Sequence, residues 1–379
     1  MTSPSPIARD ATISIIGAGP GGLTCARILQ RHGIGVAVYD SDADRHARNQ
    51  GGSLDLHADN GQVALHEAGL LDDFFARSRP EGQEMREYGP DGTLLMQQVP
   101  EADERFKPEI DRGVLRDLLL DSLEPETVHW GHRLETITGS TGGLRTLHFA
   151  NGSTVPADLV VGADGAWSRI RRTLSDAVPA YTGVSFLEAW FDEVETRHPE
   201  LAELVGQGGA HAGDGARGLF AQRNGGDHIR VYIIQEVPAD WTTQAGLTAA
   251  DTDGLRAHLL REFADWSPEL RRLVCENDGA YVDRPIFALP VPHTWEHDPS
   301  ITLLGDAAHL MPPLGVGVNL AMLDASDLAL ALASGTSIEQ AIRSYEETML
   351  ARSAEIAAML EGHTADLLGA ALPEFDEDK

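Results

Sequence analysis

The stretch "ATISIIGAGPGGLTCARILQRHGIGVAVYD" (residues 11–40) reads as strand, glycine turn, helix, short turn and strand, which is one βαβ unit. Within it, Gly17-Ala18-Gly19-Pro20-Gly21-Gly22 fits the spacing GxGxxG. In that spacing Gly17 allows the tight turn, Gly19 lets the backbone approach a pyrophosphate, and Gly22 lets helix and strand pack closely. The helix start then offers unpaired N–H groups and a positive dipole end to phosphates. Asp40 closes the second strand, where a ribose hydroxyl needs an acceptor. The unit reads as a dinucleotide site and leaves the choice between FAD and NAD open.

Around this unit lie 379 residues, 42% of them hydrophobic, enough for two domains and a further small element. The formal charge of −30, with no cluster of Lys and Arg, argues against nucleic-acid binding. Cys25 and Cys275 are the only cysteines and fit neither a disulfide framework nor a zinc site, so no metal is expected. No apolar leader segment and no run of membrane-spanning length is seen, and the chain reads as soluble and cytoplasmic. "GQVALHEAGLLDDFFA" (61–76) and "RGVLRDLLLDSL" (112–123) carry helical apolar spacing. From about Val178 to Asp283 the texture turns mainly β, and Asn224-Gly225-Gly226-Asp227 marks a hairpin turn. No GxSxG elbow occurs, and no side chain is assigned as a catalytic nucleophile or acid–base group.

Two later stretches return to α/β texture. "GADGAWSRIR" (162–171) leaves a buried strand at Gly162 and is expected to enter a helix near Trp167. "GDAAHLMPPLGVGVNLAMLDA" (305–325) follows a strand at Ser300–Leu304 with a loop rich in proline and glycine, and then a helix beginning near Gly317. Prolines at 312 and 313 stiffen the approach, and glycines at 315 and 317 let a ligand come close to the backbone.

Asp164-Gly165, Ser168 and Arg171 fit the DGxxSxxR pattern of the class A flavoprotein monooxygenases, and "GDAAHLMPP" looks like their FAD-contacting GD motif. With the glycine turn, all three fingerprints stand in order over nearly the whole chain. The resemblance is to the p-hydroxybenzoate hydroxylase-like family, and within it most closely to the tetracycline-inactivating monooxygenases, through "GGSLDLH" (51–57), "EIDRGVLRDLLL" (109–120) and "GDAAHLMPP". It implies an α/β fold: a discontinuous Rossmann-like FAD-binding domain (1–78, 103–177, 284–335), a mainly β substrate domain (79–102, 178–283), a C-terminal helix (336–372) and an acidic tail (373–379).

The same resemblance implies site roles. Asp40 would bind the adenosine ribose, Arg112 the FAD diphosphate region, and Asp306 the ribityl or phosphate end. Asp55 would contact FAD, with Asp164 part of the second fingerprint, and Arg48 would meet the nicotinamide cofactor. Pro313 and the helix from Gly317-Val318-Asn319 would lie beside the isoalloxazine, whose reduced, negatively charged edge a helix N-terminus stabilises. By-eye alignment with the tetracycline enzymes keeps Phe220, and puts Glu188 and Arg230 where a substrate-binding glutamine and histidine would lie. Departures are Ser41, where those enzymes place an arginine, and the single residue Leu314 between prolines and glycine, where they have two. The implied activity is hydroxylation of an aromatic or polyketide-like molecule, tetracycline being the sharpest choice, through a flavin C4a-hydroperoxide with FAD, NADPH and dioxygen. The partners expected are small molecules, neither nucleic acid nor membrane, for a monomer. The alternatives are another aromatic substrate, or a flavin oxidase or binding protein without oxygenation.

Overall fold

The computed structural model describes residues 11–48, 50–102, 104–141, 143–248 and 250–361. Residues 1–10, the end of the C-terminal helix range and the acidic tail lie outside the described residues.

Ile13–Ile16 is buried along its whole length and sits at the centre of a five-stranded parallel sheet. Its neighbours are Val36–Tyr39 on one side and Leu159–Gly162 on the other, with Val128–His129 and Ile301–Leu303 at the edges. Strands covered on both faces have no use for polar alternation, which is why they read as short apolar runs. The helix Pro20–Arg31 starts with proline at its first turn and buries Leu23, Cys25, Ala26, Ile28 and Leu29. It packs against a second long helix, Gly317–Ala333.

The apolar segment at 61–76 was expected as one helix and forms two, Gly61–Ala68 and Leu71–Phe75. Gly69 adopts φ 68°, a left-handed cap that ends the first of them. Helix onset after Asp164 also comes later than Trp167. The Asp164 carboxylate accepts from the Ser168 hydroxyl and from the backbone N–H groups of Arg169 (2.7 Å) and Ile170 (3.3 Å), and the helix is only Arg171–Leu174. Such side-chain bonds offer the backbone an alternative to the helix ladder.

The second unit is a seven-stranded sheet in the order 282–288, 180–191, 228–236, 217–224, 209–213, 85–88 and 94–98. The turn at 224–227 joins two of its strands, and the strand Val282–Ala288 carries the sheet past position 283, where the sequence placed its end. Alternation along the strands sorts the side chains. Leu187, Ala189, Phe191, Leu219, Ala221, Val231 and Ile233 face outward and pack with Leu201, Leu255, Leu259, Leu270 and Leu273 from the covering helices. Phe186, Glu188, Trp190, Phe220, Gln222, Arg230 and Tyr232 occupy the opposite face, toward the parallel-sheet unit.

The helix Ile338–Glu361 ties the assembly together. Tyr345 Oη donates to the Leu303 carbonyl (2.8 Å), and Glu346 accepts from Trp295 Nε1 (3.1 Å) and from the Thr302 hydroxyl (2.9 Å).

Candidate cofactor and substrate site

The glycine turn is built as its spacing demands. Gly17 has φ +115°, and a Cβ there would lie 2.2 Å from the Ala163 carbonyl oxygen; a Cβ on Gly22 would lie 2.1 Å from the Gly17 carbonyl oxygen. Above Gly19, by contrast, a Cβ would meet nothing within 4 Å, so the turn presents an open backbone face. Asp40 closes the turn by accepting from the Ala18 N–H (2.6 Å) and the Asp42 N–H (2.8 Å). Arg116, which the sequence reading passed over, braces it from behind. Its buried guanidinium donates to the carbonyls of Ala18 (3.0 Å) and Arg45 (2.8 Å) and lies over the Trp130 ring. The signal was present: Arg116 interrupts the buried stripe Leu115, Leu118, Leu119 of its helix.

The second and third fingerprints join through Arg171. Its buried guanidinium donates to the Ala307 carbonyl (3.1 Å) and the Ala166 carbonyl (2.7 Å). Asp164 therefore acts by shaping the turn that aims Arg171, and its carboxylate is already spent there. Asn319 is similar: its buried amide accepts from the N–H groups of His57 (2.8 Å) and Gly61 (3.2 Å) and donates to the carbonyls of Asp55 (2.9 Å) and Gly315 (3.3 Å). The side chain fastens the 315 loop to the 55–61 segment, which leaves only the backbone N–H of this first-turn residue for a ligand.

The loop before Gly317 splits by residue type. Leu314 and Val316 turn inward and are buried, whereas Pro313, Gly315 and Gly317 are exposed. The helix they introduce has no side-chain cap and no acid in its first turn, so its N–H groups are left for a ligand. Positions for a Cβ on Gly317 and Gly315 lie 3.9 Å from carboxylate oxygens of Asp306 and Asp55 respectively, and Asp55 also bonds His57 Nε2 (3.0 Å). Gly51 faces the same space, 3.8 Å from Arg112 Cδ and 3.6 Å from Arg230 Nη1 on the same measure.

Arg112 is the most informative of these residues. It stands water-accessible in a cleft, where the surrounding protein pulls its pKa below the usual arginine value against the opposing pull of Asp306. Among the described residues no acceptor or carboxylate takes a hydrogen bond or ion pair from its guanidinium. An unspent cation, an uncapped helix start, an open glycine turn and two carboxylates suited to ribityl hydroxyls fit the anionic, polyhydroxylated FAD.

On the facing sheet, Arg230 and Arg284 both donate to Glu188, and the Arg230 guanidinium lies 4.7 Å from the centre of the Trp190 ring. Phe220 stacks on Tyr232 with centroids 6.3 Å apart, and Phe186 lies 5.9 Å from Tyr232. These rings form one apolar cluster with Leu314, Val316, Met311 and Ile286, which the helix residues Ile356 and Leu360 join. Arg48 stands at the exposed rim, bonded to Asp42 (2.9 Å). Tyr232 was missed because nothing in its local pattern distinguishes it from any other strand aromatic.

Comparison with known proteins gives the family and the fold. The family model described as "FAD binding domain" matches residues 10–359. Monooxygenase penA of Penicillium thymicola is 31% identical, with 88% of this chain and 90% of that protein covered. The structure of Klebsiella pneumoniae HpxO complexed with FAD and uric acid matches with TM-score 0.80 at 22% identity, over 96% of this chain and 90% of that one. Tetracycline destructase Tet(51) matches with TM-score 0.68 at 19% identity, over 94% and 91%. At those identities the structural likeness is one of fold, the p-hydroxybenzoate hydroxylase-like fold. With a family match that spans nearly the whole chain and a relative 31% identical over most of both chains, the chain belongs to the FAD-binding-domain family, the class A flavin monooxygenases.

Proposed function

We propose that the protein is an NAD(P)H-consuming hydroxylase of a planar aromatic or polyketide-like molecule, with tetracycline the sharpest candidate. The observation that carries this reading is the apolar cluster of Phe186, Phe220 and Tyr232 against Leu314 and Val316, set beside the cleft that suits FAD. Bound FAD, reduced by the nicotinamide, supplies the activation of dioxygen. In this reading Arg112, Asp55 and Asp306 hold the cofactor's polar parts, and Gly17, Gly19, Gly22 and Asp40 serve its dinucleotide end. The exposed face of Pro313 and Gly317 lies along the ring, and Arg48 meets the nicotinamide at the rim. Glu188, Phe220 and Arg230 take the substrate, and the aromatic wall keeps water from the reacting face. We read the enzyme as a cytoplasmic monomer; among the described residues no helix is long and apolar enough to cross a membrane.

The test follows NADPH and NADH oxidation by the FAD-loaded protein with a panel of phenols, polyketides and tetracyclines, with products weighed by mass spectrometry. A product heavier by one oxygen is expected. Nicotinamide consumption that yields only hydrogen peroxide with every candidate leaves an oxidase and overturns the hydroxylase reading. Phe220→Ala is expected to raise the substrate KM by about tenfold, or ~1.4 kcal/mol, since it removes an aromatic contact and part of the apolar wall, with FAD affinity unchanged.

A further inference from the structure

Two guanidiniums share one carboxylate on the inner face of the substrate sheet. Glu188 is buried, and it accepts from Arg230 through one oxygen and from Arg284 through the other. Among the described residues neither arginine pairs with a second carboxylate, so one positive charge at this position is left uncancelled. Asp283, next to Arg284 in sequence, is turned to the opposite face by the alternation of its strand, level with Leu187.

The two arginines are not equivalent. Arg230 is the fixed one: its side chain is buried, its guanidinium lies over the Trp190 ring, and its stem packs beside Gly52, with Cδ 3.3 Å from the position of a Cβ there. Arg284 is the open one. Its side chain is 56% exposed, it gives only Nε to Glu188, and its two terminal nitrogens have no acceptor among the described residues. Those nitrogens form the edge of a guanidinium that matches the two oxygens of a carboxylate.

Arg284 also stands at the margin of the aromatic wall. It is paired in register with Phe186, whose ring lies 5.9 Å from Tyr232. Farther along its strand Ile286 joins the cluster with Leu314 and Val316. Side chains two apart on a strand share a face and stand about 7 Å from one another. The protein as a whole works against an anionic ligand, since a formal charge of −30 repels anions at long range. An anion accepted here is held by charge close at hand, nearer than the ~10 Å beyond which salt screens exposed charges.

We propose that the planar substrate carries a carboxylate at its edge and that Arg284 is the specificity-determining residue that receives it. The aromatic body lies on Phe186 and Tyr232, and the terminal nitrogens of Arg284 meet the carboxylate at the margin of that wall. Glu188 serves the substrate through the two guanidiniums that it orients, because both of its oxygens are taken. This rests on the reading of the cleft as a substrate site and names the ligand class of that site.

The test uses matched pairs of hydroxyaryl carboxylic acids and their carboxamides, built on benzene, naphthalene and anthracene, titrated into the FAD-loaded protein by calorimetry at pH 7. An acid and its amide share a shape and differ in charge, since the acid is ionised at that pH. For the body that fits best, the acid is expected to bind about tenfold more tightly than the amide, the scale of one charge-assisted hydrogen bond at a partly exposed site. Arg284→Gln is expected to lose that tenfold for the acid and to bind the amide as the parent does. Arg284→Lys keeps the charge without the fork and is expected to keep part of the preference. Added salt is expected to narrow the preference by weakening the acid alone. The proposal is overturned by equal binding of acid and amide to the parent, by a preference that survives in Arg284→Gln, by loss of both ligands in that variant, or by no binding of any pair. The hydroxylase reading is decided separately. An acid preference that depends on Arg284, with no oxygenated product from any candidate, sinks that reading and leaves this ligand site. Oxygenated product from acids and amides bound with equal affinity leaves the hydroxylase and sinks this proposal.

Discussion

Arg112→Ala is expected to weaken FAD binding by about 10- to 100-fold while the cofactor-free protein melts where the parent does. The guanidinium has no partner of its own among the described residues, so its loss breaks no hydrogen bond or ion pair of the protein itself. It lies within electrostatic reach of Asp306 and beside Gly51, where the proposed reading puts the cofactor's polar part. Charge-assisted hydrogen bonds contribute about 1.5–3 kcal/mol each, and ~1.4 kcal/mol is a factor of ten. Arg112→Lys keeps the charge without the planar fork and is expected to fall between the two. Flavin fluorescence titration measures the affinity and thermal melting of the apo-protein the stability. Parent-strength FAD binding by Arg112→Ala would remove Arg112 from the site; a large loss of apo stability would show that it holds up the fold instead.

That contrast between holding a ligand and holding the fold is also where sequence and structure part company. Local patterns were legible: the glycine turn, the parallel strands as apolar runs, the hairpin at 224–227 and the helix start at Gly317 all follow from backbone rules that act over a few residues. What a motif residue does with its side chain was not. Asp164 and Asn319 sit where a cofactor contact was expected, yet their polar atoms are consumed by nearby backbone, because a buried amide or carboxylate takes the first donors and acceptors within reach. The meeting of the two units was invisible for another reason. Period-two alternation says that Gln222 and Phe220 share a face, but nothing local says that this face meets Glu109, more than a hundred residues earlier in the chain.

Asp324 shows how far such long-range commitment reaches, and Asp324→Asn is expected to cost about 3–5 kcal/mol of stability, the range for removing one partner of a buried ionic group. The carboxylate is fully buried in the helix Gly317–Ala333, where it bonds His309 Nε2 (2.6 Å), Arg352 (2.7 Å) from the C-terminal helix, and the N–H of Gly305 (3.0 Å). Gly305 directly precedes Asp306, so the same substitution is expected to weaken FAD binding. Its pH dependence has a fixed sign. Burial alone lowers the His309 pKa, but the Asp324 charge and hydrogen bond outweigh it and the net shift is upward. That contribution is complete below about 6.5 and fades as pH rises through the folded value. Burial alone raises the Asp324 pKa, but His309 and Arg352 more than offset it and the net shift is downward. That contribution is complete above about 4 and fades as pH falls through the folded value. The stability gap between parent and Asp324→Asn is therefore expected to be widest between about pH 4 and 6.5 and to narrow toward pH 9, without closing, because Arg352 keeps its charge. Urea unfolding of both proteins at pH 5, 7 and 9 measures it. A gap that does not change with pH would mean that His309 carries no proton in the folded protein, and that Asp324 is held by Arg352 and the Gly305 amide alone.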